Sequence, residues 1–404
     1  MRLTIESLVH GGRGLARADG VVFVPFVLPG ETVEAEIVEK RKGFSVARLS
    51  AVIEPSPRRT EPPCPYFGTC GGCQWQHIAY AAQVEFKEAI LRETLRRIGK
   101  LDPPFLPPLT GEPFGYRRRA SFQVGPDGAA GFFGAHSHTL VPVDRCLLLD
   151  APLNALLMAL ASQRERLRGL NTVEAASGEE GILLGLYGDP PKRSTLEALK
   201  ETLPGVAGVV HVRSDAFAGT PSVAVPTGDF ALTVGAGSFF QANAALNARL
   251  VEAAVQALEP LSGKTALDAY AGGGNFAFAL ARRAGSVLAV ESSPPSVADA
   301  KATRRRLGLE NIKILKETFE RALLKGAFDA AVVDPPRTGL SPRGLAKLLE
   351  LGARRLAYVS CEPATLARDL QALSKRYRVI SVRLADMFPQ TAHIEAVAAL
   401  ELGR

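Results

Sequence analysis

Hydrophobic and polar positions alternate with a period of two in the first part of the chain. Apolar residues around Leu3, Val22, Val33 and Phe44 form short runs that glycine-containing turns separate. This period, with turn residues between the runs, predicts short β-strands. About five such strands over residues 1–53 predict a small barrel of OB-like type.

The middle of the chain predicts a mixture of helices and strands. After a proline-rich basic linker, apolar residues recur at helical spacing and predict a helix over 78–99. The prolines of DPPFLPP at 102–108 are expected to end that helix. Strands, with one helix near 151–168, are predicted over 115–235. We therefore expect a central α+β domain, whose first helix could pack on the domain that follows.

Strands and helices alternate from about residue 240 to the end of the sequence. Alternating β and α units predict a doubly wound parallel sheet. The predicted fold class is multidomain, with an N-terminal OB-like β-barrel, a central α+β domain and a C-terminal α/β Rossmann-like domain. The predicted limits of these domains are 1–53, 54–235 and 236–404.

Composition and charge narrow the class of protein. The 404 residues are 47% hydrophobic and 22% charged, which is typical of a globular chain and excludes a mostly disordered one. A net charge of +7 is compatible with a polyanionic partner. Polar residues interrupt the longest charge-free run, 230–248, and the N-terminus lacks a long apolar segment. We therefore expect a cytoplasmic protein with no membrane span and no secretory signal.

Four of the five cysteines predict a metal site. Three lie in CPYFGTCGGC and one in VDRCLLL, and they are Cys64, Cys70, Cys73 and Cys146. In a reducing compartment, clustered cysteines are more often metal ligands than disulfides. Four thiolates can hold either a [4Fe–4S] cluster or a structural zinc ion. Zinc sites usually use two close pairs, so the three-plus-one spacing favours [4Fe–4S], with buried free thiols as the remaining alternative.

A strand, a glycine-rich turn and a helix over 266–281 (ALDAYAGGGNFAFALA) predict a cofactor site. Glycine lets the backbone approach a ligand, and Glu291, at the end of the next strand, can accept hydrogen bonds from ribose hydroxyls. NAD would suit such a turn, but the loop lacks the dinucleotide glycine spacing. A further strand ends in DPPR at 334–337. This combination resembles the Rossmann-like methyltransferases that use S-adenosylmethionine.

The residue after the DPP sequence limits the chemistry. Amino-group methyltransferases resemble this motif but carry an aromatic residue there, which stacks on the target base. In this sequence the residue is Arg337, and a guanidinium suits contact with a phosphate or a carbonyl. Methylation of an exocyclic amine is therefore disfavoured.

Cys361 is the candidate nucleophile. It lies where a predicted strand meets a predicted helix in RLAYVSCEPATLARDL, residues 355–370. The dipole and the unpaired N–H groups of a helix N-terminus stabilise a thiolate, so we expect ionisation to be favoured at this position. The alternative is a buried structural cysteine.

A thiolate beside a methyl donor suits methylation of uracil at C5. Addition of the thiolate to C6 places negative charge on C5, which can then attack a sulfonium methyl. The adduct must next lose its C5 proton, and that step requires a general base. Glu395, in DMFPQTAHIEAVAAL, lies among apolar residues that would raise its pKa toward neutrality. The alternative for Glu395 is a surface position on a strand.

Five segments, in order, resemble the RNA uracil-5-methyltransferase family, which makes 5-methyluridine from S-adenosylmethionine. They are SFFQAN (238–243), LDAYAGGGNF, VVDPPRTGL, YVSCEPATLARDL and DMFPQTAHIE. The barrel resembles a TRAM domain, and the cysteine loop resembles the [4Fe–4S] site of the ribosomal RNA branch. The resemblance implies a monomeric RNA (uracil-5-)-methyltransferase of class EC 2.1.1 with 23S ribosomal RNA as partner; another RNA, such as transfer RNA, is the alternative.

The resemblance also implies roles for matching positions. Cys361 corresponds to the nucleophile and Glu395 to the base. The positions that correspond to cofactor contacts are Gln241, Tyr270, Asn275, Glu291 and Asp334. Three positions stand apart from this scheme: Ala271 replaces a frequent cysteine, Thr318 stands where an aspartate near the adenine is common, and His393 has no assigned role.

Two other functions fit parts of the sequence. A radical S-adenosylmethionine enzyme would combine a cluster with the cofactor, but its usual motif is C-x3-C-x2-C, whereas here the first spacing is five residues. A non-enzymatic RNA-binding or ribosome-assembly factor would use the barrel and the basic surface. The presence of both Cys361 and Glu395 argues against it.

Overall fold

The computed structural model describes residues 1–135, 137–214 and 216–403, which form three sheets and a separate hairpin. The helices are α1 (Tyr80–Thr94), α2 (Ala151–Leu160), α3 (Arg164–Leu167), α4 (Arg193–Thr202), α5 (Ala244–Gln256), α6 (Ala277–Ala281), α7 (Pro294–Leu307), α8 (Pro342–Leu351) and α9 (Pro363–Leu373). Across these described ranges, we find no helix with the length and apolarity needed to cross a membrane.

The N-terminal segment folds into a six-stranded sheet. Its strands are β1 (Arg2–Thr4), β2 (Ser7–Leu8), β3 (Gly14–Ala18), β4 (Gly20–Val24), β5 (Thr32–Arg41) and β6 (Phe44–Glu54). They lie in the order β1-β5-β6-β4-β3-β2, with β4 and β6 parallel and the other pairs antiparallel. Alternate residues, such as Leu3, Val24 and Val33, form a core of their own.

The central region contains a seven-stranded sheet in the order β10-β9-β8-β11-β12-β13-β14. Its strands are β8 (Arg119–Val124), β9 (Ala130–Phe133), β10 (Leu140–Pro142), β11 (Leu170–Gly178), β12 (Gly181–Gly188), β13 (Val206–His211) and β14 (Phe217–Gly219). Leucines of α2 and α4, including Leu156 and Leu196, pack on one face of this sheet. The hairpin β15 (Ser222–Thr227) and β16 (Phe230–Gly235) follows.

The C-terminal region is built on an eight-stranded sheet in the order β19-β18-β17-β20-β21-β23-β22-β7. Its strands are β7 (Phe105–Leu109), β17 (Thr265–Ala269), β18 (Ser286–Glu291), β19 (Ile312–Lys316), β20 (Ala330–Val333), β21 (Arg355–Ser360), β22 (Tyr377–Ala385) and β23 (Glu395–Leu402). Successive residues of β17 face opposite sides of the sheet. Ala266 packs with α5 and α6 on one side, and Leu267 packs with α8 and α9 on the other. Both faces of the sheet are therefore covered by helices, as the alternating pattern predicts.

Three segments that precede the predicted C-terminal domain pack on its sheet. Helix α1 and the π-helical turn Leu95–Gly99 contact α9, and a Cβ at Gly99 would lie only 3.0 Å from the carbonyl oxygen of Ala367. Strand β7 extends the sheet beside β22 in parallel. The hairpin β15–β16 packs on α7, where the Gly235 N–H donates to Asp299 at 3.0 Å. Packing therefore joins these segments to the C-terminal sheet, although the domain limits drawn along the sequence separate them from it.

Candidate active site

The glycine turn after β17 lies at the carboxyl edge of the parallel strands. Gly272 and Gly274 adopt φ of +57° and +98°, which favour glycine. A Cβ on Gly274 would lie 2.2 Å from a ring carbon of Phe278, so the ring packs directly on the backbone. A Cβ on Gly273 would meet nothing within 4 Å. The turn therefore exposes backbone to a ligand at the edge where α/β sheets bind their cofactors.

Glu291 closes this turn from the neighbouring strand. Its carboxylate accepts the N–H of Gly272 at 2.8 Å and the N–H of Ser293 at 2.6 Å. Each carboxylate oxygen has a second lone pair available. The ribose contact that the sequence assigns to Glu291 is therefore compatible with its observed role in holding the turn, and it stays a prediction.

Asp268 is a buried acid that the sequence analysis did not select. It is 0% exposed, and among the described residues only the Ala277 N–H approaches its carboxyl group, outside regular hydrogen-bond geometry. Burial and the neighbouring Asp334 raise its pKa well above the usual range. A cationic ligand at this edge would offset the cost of the unpaired acid. The donor set thus fits S-adenosylmethionine, which carries an ammonium and a sulfonium.

Tyr270 begins the turn in a left-handed conformation, with φ of +65°. Its hydroxyl donates to Glu320 at 2.8 Å, and its ring centroid lies 5.5 Å from that of Phe319. Within the segment 316–320, Glu320 is thus the acid that holds the Tyr270 hydroxyl, and the adenine contact expected near Thr318 stays a prediction. The Thr318 hydroxyl is buried and lacks a partner within the described part of the chain.

Asn275 contacts a second asparagine in the structure. Its amide exchanges two hydrogen bonds with Asn247 of α5, at 2.8 and 3.0 Å. This reciprocal pair ties the glycine turn to α5. The cofactor contact that the resemblance implies for Asn275 stays a prediction.

Strand order brings the predicted nucleophile and base to the same edge. Cys361 follows the last residue of β21, and Glu395 is the first residue of β23. Because β23 runs antiparallel to β21, its beginning lies at the carboxyl end of β21, and Ser360 pairs with Ala396. Asp334, immediately after β20, lies at the same edge. The sheet therefore gathers a thiol and two carboxyls from distant parts of the chain.

The pKa of the Cys361 thiol is raised, whereas its position before a helix predicts a lowered one. Burial, then Glu395 and Asp334, raise the pKa of the Cys361 thiol to about 11, while a hydrogen bond from Arg337 lowers it. The expected stabilisation of the thiolate by the α9 N-terminus is therefore outweighed by burial of the thiol, to which two acids from other strands add. Burial also raises the pKa of Glu395, to about 8, with a contribution from Asp334. That direction agrees with the expectation for Glu395, which is 3% exposed.

Gln241 lies in the wall of a neighbouring cavity of about 320 Å³. The cavity runs between the central and C-terminal sheets, and its lining includes Arg117, Arg119, Phe239, Arg337 and His393. Phe239 is 62% exposed, and the Arg119 guanidinium lies 5.4 Å from its ring centroid. Cations and an exposed aromatic ring are suited to nucleic acid.

A buried ion pair supports the loop before Glu395. Lys87 of α1 donates to Asp386 at 2.5 Å and to the Phe388 carbonyl at 3.0 Å, and both charged side chains are 0% exposed. Helical spacing puts Lys87 off the apolar stripe of α1, yet it is buried because Asp386, immediately after β22, lies against it. Lys87 thereby fixes the segment that carries His393 and Glu395.

The four clustered cysteines line one cavity of about 50 Å³, in which Arg117 is also present. The loop packs on β9, where the Gly71 N–H donates to the Phe133 carbonyl at 2.9 Å. Burial raises the pKa of the Cys73 thiol to about 12. Four converging thiols are the donor set of a cluster, but the described residues contain no group of three or more His, Cys, Asp or Glu positioned as a metal site. Their role is taken up as a proposal below.

Three functional residues were missed by sequence reasoning. Asp268 gave a usable signal, since it is an acid between apolar residues of a buried strand. Glu320 and Lys87 gave none, because their partners are 50 and 299 residues away.

Comparison with known protein families yields two matches. A family profile described as tRNA (Uracil-5-)-methyltransferase matches residues 221–402. A profile for the TRAM domain of a tRNA (uracil(54)-C(5))-methyltransferase matches residues 1–58. The second match covers the N-terminal six-stranded sheet.

Individual proteins match over nearly the whole chain. A 23S rRNA (uracil(1939)-C(5))-methyltransferase RlmD of Pseudomonas putida is 35% identical, with 100% of this chain and 94% of that protein covered. An uncharacterized RNA methyltransferase of Halalkalibacterium halodurans is 34% identical, with coverage of 100% and 97%. The crystal structure of Pyrococcus abyssi tRNA (uracil-54, C5)-methyltransferase with S-adenosyl-L-homocysteine is 26% identical and covers 99% of this chain and 100% of that one, at a TM-score of 0.78.

Proposed function

The chain belongs to the RNA uracil-5-methyltransferase family, and on that premise we propose that it methylates C5 of a uridine in 23S ribosomal RNA through a covalent adduct with Cys361. The observation that carries the proposal is the meeting of Cys361 and Glu395 at the edge of the sheet that also bears the glycine turn. A thiol and a buried carboxyl beside a cofactor turn are the groups that this reaction needs.

Cys361 starts the reaction as its thiolate. The S–C6 bond forms while the π electrons of the C5–C6 bond move onto C5 and the O4 carbonyl. C5 then takes the methyl group of S-adenosylmethionine, which supplies an activated methyl on a sulfonium. The electron pair of the broken S–CH3 bond stays on that sulfur, so S-adenosylhomocysteine leaves.

Glu395 ends the reaction as a general base. Its carboxylate removes the C5 proton, the C–H electron pair re-forms the C5–C6 double bond, and the Cys361 thiolate is expelled. Because burial and Asp334 raise the Glu395 pKa, its carboxylate is a stronger base than an exposed glutamate. Glu395 is also one of the two acids that raise the Cys361 pKa. A negative charge on the Glu395 carboxylate therefore disfavours a negative charge on the Cys361 sulfur.

Arg337 is suited to orient the target base. It hydrogen-bonds Cys361, and its Nη2 lies 3.5 Å from His393 Nδ1. A guanidinium there lowers the thiol pKa and can stabilise negative charge that develops on a uracil carbonyl. We assign methyl-donor binding to Gln241, Tyr270, Asn275, Glu291 and Asp334, with Asp268 and the glycine turn as additional support.

The four cysteines are proposed to hold a [4Fe–4S] cluster with a structural role. Their convergence on one cavity, and their three-plus-one spacing, support this assignment. Thiols with raised pKa values need a metal to ionise near neutral pH. Iron and sulfide analysis of anaerobically purified protein tests the proposal, with Cys70→Ser as the variant and Cys361→Ser as the matched control. Four irons per protein that are present in Cys361→Ser and lost in Cys70→Ser would support the cluster. Bound zinc would contradict it, and unchanged folding and RNA affinity in Cys70→Ser would contradict its structural role.

Relatives favour ribosomal RNA as the substrate, since RlmD proteins at 35% identity are named for 23S rRNA and match the full chain. The tRNA names of the family profile and of the solved structure make transfer RNA the second candidate. Mapping 5-methyluridine in both RNAs, with and without this gene, separates the two. We further propose that the protein acts as a cytoplasmic monomer.

The covalent route has a direct test. RNA containing 5-fluorouridine forms a stable adduct because fluorine at C5 cannot leave as a proton does. Wild-type protein is expected to give a gel-shifted complex that survives denaturation, and Cys361→Ala is expected to give none. A stable adduct in Cys361→Ala would refute the assignment of the nucleophile, and RNA binding without methylation of any uridine would refute the enzyme reaction.

A further inference from the structure

A turn of the N-terminal barrel reaches the active site. Residues 9–13 connect β2 to β3, and the Gly12 N–H donates to the Val9 carbonyl at 2.9 Å within this turn. His10 projects from it, 42% exposed, with its Nε2 3.2 Å from Glu362 Oε2. Glu362 immediately follows the proposed nucleophile in the sequence. The barrel therefore contacts the segment that carries Cys361.

Close packing fixes the position of this turn. A Cβ on Gly12 would lie 2.6 Å from the Ala392 Cβ and 2.7 Å from Trp75 Nε1, so only glycine fits there. The Trp75 indole N–H donates to the Gly12 carbonyl at 3.1 Å. The Trp75 backbone N–H in turn donates to the Gln390 carbonyl at 3.0 Å. The barrel turn, the Trp75 segment and the loop before Glu395 thus form one packed unit, which leaves His10 little freedom relative to Glu362.

Glu362 has a second structural role beside the nucleophile. Its side chain accepts the Ala364 N–H at the start of α9, at 3.4 Å, while the Ser360 hydroxyl accepts the Glu362 N–H at 3.1 Å. The 3.4 Å contact is long, so the His10 contact is the shorter of the two that hold this carboxylate. Without the His10 and Ala364 contacts, the Glu362 carboxylate would be free to move. It would then lie one residue from the Cys361 sulfur, which must become an anion.

We propose that His10 is a positioning residue for the methyl transfer, which holds the Glu362 carboxylate away from the Cys361 sulfur and thereby couples the barrel to the nucleophile. The imidazole can do this as a neutral donor or as a cation. The titratable group that also faces this ring is His393, which is close enough for the two imidazoles to interact, and Arg337 lies beside His393. The inference rests on the proposed function, because it assumes that Cys361 is the nucleophile.

The test is a mutant cycle read out as adduct formation. The rate constant with saturating 5-fluorouridine RNA, and kcat and KM with uridine RNA, are measured for His10→Ala, Glu362→Gln and the double variant. His10→Ala is expected to slow adduct formation about three- to fivefold, the range for a partly exposed ion pair, with little change in KM. Glu362→Gln is expected to restore the rate in the double variant, since a neutral amide cannot repel the thiolate. His10→Gln, which keeps a donor, is expected to retain most of the rate.

Several outcomes would overturn the proposal. An unchanged rate of adduct formation in His10→Ala would do so. A raised KM in His10→Ala that persists in the double variant with Glu362→Gln would also do so, because it would mean that His10 binds RNA directly. Arg17→Ala removes a different exposed side chain of the barrel, one paired with Glu6, and serves as the control that should keep the adduct rate. Thermal unfolding of each variant checks that the fold is intact. Failure of the proposed function is distinguishable, since it would appear as an adduct in Cys361→Ala or as wild-type protein that binds RNA without methylating any uridine.

Discussion

Substitution of Glu395 by glutamine separates the chemistry of this residue from its cost to the fold. A glutamine keeps the size of the side chain but cannot take a proton from C5. Loss of a general base typically slows a reaction by about 10²–10⁴-fold. Methyl transfer to C5 precedes the proton removal, so we expect Glu395→Gln to accumulate a methylated RNA adduct on Cys361 instead of releasing product.

The same substitution should change how stability depends on pH. The folded protein raises the Glu395 pKa from 4.5 to about 8, so this group stabilises the fold fully below pH 4.5, and that contribution is lost as pH rises through 8. The raised pKa corresponds to at most about 5 kcal/mol, and Asp334 shares part of it. Glutamine does not ionise. The stability of Glu395→Gln relative to wild type is therefore expected to increase by a few kcal/mol, on the order of half that maximum, between pH 5 and 9.

Two assays measure these effects. Urea unfolding at several pH values gives the stability difference, and denaturing gels with radiolabelled methyl donor give the trapped adduct. A stability difference that is independent of pH would refute the buried, proton-holding environment of Glu395. Full turnover in Glu395→Gln would refute its role as the base. Glu350→Gln, a substitution of an exposed glutamate on α8, is the matched control and should alter neither property.

Three further predictions follow from the described contacts. Because the free Cys361 thiol has a pKa of about 11, adduct formation at saturating RNA should accelerate about tenfold per pH unit from 7 to 9 in stopped-flow measurements, and a flat profile would contradict this. Gly274→Ala, which would force a Cβ into Phe278, should weaken methyl-donor binding at least about tenfold by calorimetry and destabilise the fold by about 1–3 kcal/mol; unchanged affinity would argue against the turn as the binding site. Lys87→Met should destabilise the protein by about 3–5 kcal/mol in urea, because it leaves Asp386 charged and buried, and Lys87→Met with Asp386→Leu should recover much of that loss; a neutral single variant would contradict the buried pair.

The elements around the cofactor turn were predictable because their signals are local. The strand, the glycine turn and the following helix over 266–281 are contiguous, and glycine is required there by backbone geometry. The family resemblance was confirmed by the comparisons, and so was the TRAM character of the N-terminal segment. The α1 helix was also found close to its predicted limits.

Other features depend on contacts between distant residues. Strand β7 escaped prediction because Pro107 and Pro108 are unfavourable in a strand, and the sheet accepts them only at its edge. The pKa of Cys361 was expected to fall because the sequence shows the start of α9, but neither the burial of the thiol nor the approach of Glu395 and Asp334 from other strands. The domain limits follow composition along the chain, whereas α1 and β7 find their packing partners about 280 residues later.

The parallel pairing of β7 with β22 affects how this protein is made on the ribosome. The segment that becomes β7 emerges about 270 residues before its partner strand. At about 5–20 residues per second, the nascent chain must carry that segment unpaired for roughly 15–50 s. Its two prolines lack the N–H groups through which a waiting strand could recruit a wrong neighbour. The residues that weaken the strand signal thus protect the growing polypeptide from misassembly until the edge of its final sheet is available.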